Sequence, residues 1–129
     1  MVMLDGYRRN LTFYQDVSGN RVDVGGADVT LVTVRNAFHS LFLQKAHIQI
    51  TGASANKTWQ LKDSSGIELT GPFATDTDGS HFDMDFGPNG VQLTEGSNLV
   101  LDVSAAGATG IISWEAYQKL TAAVAAAGA

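Results

Sequence analysis

The sequence predicts an all-β chain, an antiparallel β-sandwich of jelly-roll-like type, and three observations lead there. Short runs of alternating apolar and polar residues recur at intervals of roughly 8–12 residues, the spacing of sandwich strands. Gly, Asn-Gly and Asp-Gly turns separate them. The composition agrees, with 14 Gly and a charged fraction of only 16% in 129 residues, which suits short strands and many turns better than a helical bundle.

Leu11 to Gln15 and Val29 to Val34 read as the first strands, the second rich in β-branched residues. Ala37-Phe38 and Leu41-Phe42 have helical spacing, but a strand from Leu41 to Ile50 fits the pattern better. Leu41 and Leu43 fall out of phase with Ala46, Ile48 and Ile50, so this strand is expected to carry a bulge near Lys45. Trp59 and Leu61 alternate with Thr58, Gln60 and Lys62, and Asp63-Ser64-Ser65-Gly66 ends that run as a hairpin loop. Phe82-Asp83-Met84-Asp85-Phe86 alternates strictly, with the two Asp on the solvent face, and Gly87-Pro88-Asn89-Gly90 follows as a turn. Leu99, Leu101 and Val103 form a strand after the Glu95-Gly96-Ser97 turn, and Ile111 to Tyr117 closes the series with Ile112, Trp114 and Ala116 on one face.

The organisation is a single sandwich domain over residues 1–121, with an N-terminal arm of about ten residues and an Ala-rich tail at 122–129. The start of the chain lacks the basic-then-apolar order of a secretory signal, and no run approaches the length of a membrane span. Cytoplasmic synthesis without a membrane partner is therefore expected. The absence of Cys excludes disulfides, thiolate metal sites and Cys nucleophiles. A net charge of −5 argues against nucleic acid as a partner. That charge is uneven: residues 1–62 carry a net +3, residues 63–118 carry nine acidic side chains and no Lys or Arg, and Lys119 adds one positive charge. Such a split arises from strands that pair within one fold, or from faces that meet complementary partners.

Residues with chemical potential are few. Asp76, Asp78 and Asp83 have spacing that hints at calcium, but no EF-hand pattern is completed, so a solvated acidic hairpin is the better reading and no metal is expected. His39, His47 and His81 share no ligand spacing and read as surface or boundary residues. No nucleophile elbow or phosphate loop occurs, so no catalytic residue, cofactor or enzyme activity is expected. Trp59 and Trp114 could stack on sugars, yet both lie on the apolar faces of their strands, which favours the core. Tyr7, Arg8 and Arg9 in the arm are of the types enriched where proteins meet, and they are the candidate partner-binding residues.

The stretches Ser40 to Thr51, Phe82 to Val91, Leu93 to Leu99 and Ser104 to Tyr117 resemble small β-sandwich structural proteins of tailed bacteriophages, of the capsid decoration or cement type. The similarity spans about residues 40–120 and rests on strand and turn signatures, while the first 39 residues match no such pattern. It implies a virion protein on the capsid surface, assembled in the bacterial cytoplasm. Its partner would be the major capsid protein, and it would be a homo-oligomer, a trimer at local threefold positions. The alternative is a carbohydrate- or receptor-binding module of a head fibre or tail.

Overall fold

Alternating side chains drive most of the chain into extended structure, and no helix forms among the described residues. The structure, a computed structural model, describes residues 14–22 and 27–121. Its strands are β1 (Gln15–Asp16), β2 (Gly19–Val22), β3 (Val29–Val32), β4 (His39–Gly52), β5 (Thr58–Asp63), β6 (Phe73–Ala74), β7 (His81–Asp85), β8 (Val91–Gln92), β9 (Leu99–Val103) and β10 (Thr109–Leu120). The whole of the expected arm and of the Ala-rich tail lies outside the described residues, as does most of the strand read at Leu11 to Gln15.

The strands form two antiparallel sheets, and the fold is the expected all-β sandwich. In the first, β4 and β10 lie side by side; β1 and β2 pair in succession with the far side of β10, and β7 and β8 with the far side of β4. In the second, the order is β3-β9-β5-β6. Counting β1 with β2 and β7 with β8 as single broken strands, the first strand pairs with the last, the second with the seventh, the third with the sixth and the fourth with the fifth. The chain therefore follows the path of one long hairpin folded over itself into two layers.

Between the layers lies the core. Leu41, Leu43, Ala46, Ile48 and Ile50 of β4 and Ile112, Trp114 and Ala116 of β10 meet Trp59 and Leu61 of β5 and Leu99, Leu101 and Val103 of β9. Each fully buried Leu or Ile contributes roughly 1.5–3 kcal/mol, so a core of this extent holds the sandwich without disulfides. Both Trp belong to it, as their strand phase indicates.

The expected phase break in β4 is present. Glu115 of β10 faces Lys45 and Ala116 faces Leu43, which leaves Gln44 as the extra residue of a bulge. On the other side of β4 the neighbour breaks at the same level: β7 pairs with Lys45 to Gln49, β8 pairs with Phe42 and Leu43, and the Gly87-Pro88-Asn89-Gly90 turn spans the gap. Gln44 Nε2 donates to the Pro88 carbonyl at 2.6 Å, and the Phe86 N–H donates to the Gln44 carbonyl at 2.8 Å. Gly90 adopts φ +75°, and a Cβ there would lie 2.9 Å from the Leu43 carbonyl oxygen. Only glycine fits this close approach of turn to strand.

Two sequence expectations need correction. The acidic segment at Asp76–Asp83 is not a hairpin, because β6 belongs to the second sheet and β7 to the first. Its Asp78-Gly79 turn instead carries the chain between layers, held where the Ile50 carbonyl accepts the Gly79 N–H at 2.8 Å and Asp78 accepts the Ala53 N–H at 2.6 Å. Asp63 is not a loop residue either: it is the last residue of β5, in the buried phase of that strand, with its side chain wholly inside. The strand read at Val29 to Val34 ends as β3 at Val32, and Val34 is buried just beyond it.

Candidate functional site

Alternation along β4, β7 and β10 leaves one continuous polar and aromatic surface on the side of the first sheet opposite the core. Two groups of side chains stand out on it.

The first group joins β4 and β7. Cross-strand register sets His47 directly opposite Asp83, and sets Gln49, two residues along β4, opposite His81. His81 is thus diagonal to His47 on the same face, with ring centroids 5.8 Å apart. His47 Nδ1 is in hydrogen-bond contact with Asp83 Oδ1. The His47 hydrogen bond holds the Asp83 carboxyl below its usual value against the opposing effect of burial, and the proximity of His47 and His81 adds to the lowering. One potential ligand atom from each of His47, His81 and Asp83 lies within 4.8 Å of the others, the one such group of three among the described residues. Beside it lies an open cavity of about 520 Å³, lined by Lys45, His47, Asp83, Asp85, Ser113 and Glu115.

The second group lies at the other end of the same face. Phe42 of β4 stacks on Tyr117 of β10 with centroids 4.9 Å apart and rings 3° from parallel, and Tyr14 packs on Tyr117 at 5.8 Å. Lys119 Nζ sits over this cluster, 4.9 Å from the Phe42 centroid and 5.4 Å from that of Tyr14. The Tyr117 hydroxyl donates to the Asn89 carbonyl at 2.8 Å, which fixes the central ring. Tyr14 is 54% exposed, so the cluster presents aromatic surface and a positive charge together.

Of the residues singled out by sequence, Tyr7, Arg8 and Arg9 lie outside the described residues. The two Trp are unavailable to sugars, Trp59 being fully buried. His39 is buried at the start of β4 with Nδ1 2.7 Å from Asn36 Oδ1, and burial, assisted by the Arg35 charge, lowers its pKa. Asp76 and Asp78 do not join Asp83 in a ligand set, since Asp83 turns to His47. The His47, His81 and Asp83 group was invisible to local spacing. Strand alternation puts His81 and Asp83 on one face, but only the β4–β7 register adds His47.

The split of charge along the sequence is accounted for in part by pairing within the fold. Lys62 lies 3.3 Å from Asp102 and 3.7 Å from Asp28, and Lys45 stands opposite both Asp85 and Glu115.

Among known proteins, no family model matches the chain and no curated protein is similar to it.

Proposed function

We propose that the protein is a virion structural protein of tailed-phage type that decorates the outer surface of a capsid and cements it. The observation that carries this reading is the Tyr14, Phe42, Tyr117 and Lys119 cluster. It combines a rigid sheet platform with aromatic side chains of the kinds that anchor protein interfaces, and Lys119 adds a positive charge beside them. Tyr7, Arg8 and Arg9 precede Tyr14 by a few residues in the sequence, and their residue types suit the same docking role. The strand pairing, first with last and inward from there, supports the jelly-roll form of the sandwich.

In this function the protein is a clamp rather than a catalyst. Its partner is the major capsid protein, bridged across adjacent subunits by a closed oligomer, a trimer at local threefold positions. Modest contacts from each copy combine through avidity to hold the shell against internal pressure.

The test is sedimentation of the full chain with assembled capsids, beside a chain without its first ten residues and an Arg8→Ala/Arg9→Ala variant. Binding that falls in both variants, and that weakens as salt rises, supports the reading. Binding that is unchanged by both removes the arm from it, and a failure of the full chain to bind any capsid overturns it.

A second reading, a carbohydrate- or receptor-binding module of a head fibre or tail, has one observation in its favour. Tyr14 is an exposed aromatic ring on the outer face of the first sheet. Glycan-array binding that is lost in Tyr14→Ala would support this module, and no glycan binding would exclude it.

A further inference from the structure

We propose that His47, His81 and Asp83 form a binding site for a divalent transition-metal ion of the Zn2+ type on the outer face of the first sheet. The site is independent of the capsid reading and stands on its own geometry.

The donor set selects the ion. Two imidazole nitrogens and one carboxylate oxygen suit Zn2+, Co2+, Ni2+ or Cu2+, whereas Ca2+ and Mg2+ take shells of oxygen alone. Ligand atoms of a four-coordinate ion with bonds of about 2.0–2.2 Å lie roughly 3.4 Å from one another. The three atoms here are already within 4.8 Å. His81 and Asp83 are both exposed, so rotation of their side chains would be free to bring His81 in and to open the His47–Asp83 contact around an ion.

The platform is rigid where it must be. His47 sits on the strand that pairs with β7 on one side and β10 on the other, so its Cα is fixed from both flanks. The Asp83 carboxylate already meets His47 Nδ1. The ion takes the place of the hydrogen that joins them: from an imidazolium that proton leaves to solvent, and from a neutral ring it is balanced by protonation at Nε2, so the ligand is a neutral imidazole.

The surroundings favour a cation. Lys45 is the nearby positive charge in the adjoining cavity, and it is outnumbered there by Asp85 and Glu115 in addition to Asp83. Three protein ligands leave at least one coordination position open toward that cavity, for water or for a ligand brought by another molecule.

The test uses the full chain, stripped with chelator and titrated with Zn2+ alone by calorimetry, with Co2+ as a visible-absorption probe. We expect one ion per chain. His47→Ala, His81→Ala and Asp83→Asn should each weaken binding at least about tenfold, and Asp76→Asn should leave it unchanged. Because His81 is exposed, His81→Ala tests the site without disturbing the core. Absence of Zn2+ uptake, uptake retained in a His47→Ala/His81→Ala chain, or displacement of Zn2+ by equimolar Ca2+ would each overturn the proposal.

Discussion

The carboxylate of Asp63 accepts the backbone N–H of Thr94 at 3.0 Å, tying the end of β5 to the segment that follows β8. Its other oxygen accepts the N–H groups of Ser65 at 2.9 Å and Ile67 at 3.0 Å. Burial alone would raise the pKa of this acid, but the hydrogen bonds from Thr94, Ile67 and Ser65 outweigh it and hold the value below 3.8. A folded-state value below the unfolded one means that the stabilisation is complete above the ordinary carboxylate range. It is lost as pH falls through the lower folded-state value. Urea unfolding as a function of pH should therefore show an acid-side loss of stability that Asp63→Asn flattens. The same substitution turns an amide N–H toward a backbone N–H and should cost about 2–4 kcal/mol at neutral pH.

Gly110 of β10 lies against the Trp59 ring of the opposite layer. A Cβ at this position would stand 2.4 Å from the Gln49 carbonyl oxygen and 2.9 Å from the Trp59 ring. Neither the ladder partner nor a fully buried indole can retreat. Gly110→Ala should destabilise the fold by about 3 kcal/mol or more, measured as a fall in the denaturation midpoint.

The two Trp should respond differently to replacement by Phe. Trp114 Nε1 donates to the Val17 carbonyl at 2.8 Å and so anchors the link between β1 and β2. Trp59 Nε1 is buried with no partner, so its removal breaks no hydrogen bond. We expect Trp114→Phe to release protection from hydrogen exchange around Ser18 and Gly19. Trp59→Phe should leave that segment unchanged and cost about 1 kcal/mol from the lost ring volume.

Lys119, itself partly exposed, reaches the exposed Tyr14 ring and the buried Phe42 ring, and such contacts near the surface are worth about 0.5–1 kcal/mol. A Tyr14→Ala/Lys119→Ala chain should therefore melt within a few degrees of the parent, while the capsid binding proposed for the protein should fall. Calorimetry paired with capsid sedimentation reads both. Equal losses of stability and binding would assign the cluster to the fold alone.

The features that were legible in the sequence are those set by local period. The change of phase between Leu43 and Ala46 announced the β4 bulge, and the alternation around Trp59 and Trp114 placed both in the core. What escaped depends on pairing between distant segments. Asp78-Gly79 has hairpin chemistry, yet which sheet receives the next strand is decided by core packing across the sandwich. Asp63 reads as a turn residue because the backbone donors that satisfy it inside come largely from after Gly66 and from Thr94. The His47, His81 and Asp83 group likewise exists only once β4 and β7 are in register. Tyr7, Arg8 and Arg9 fall outside the described residues, so their role rests on residue type.

The break opposite the β4 bulge has a further effect on how copies of the protein can meet. An outermost strand with a long free row of backbone N–H and C=O groups invites another chain to add to the sheet. Here that row is divided into β7 with five residues and β8 with two, separated by Pro88, which has no N–H to offer. The opposite margin is split at Val17-Ser18 between β1 and β2, and the second sheet ends in β3 with four residues and β6 with two. Among the described residues, each margin is thus too short or too interrupted to template open-ended strand addition. Association at high local concentration is then left to faces and side chains rather than to sheet margins.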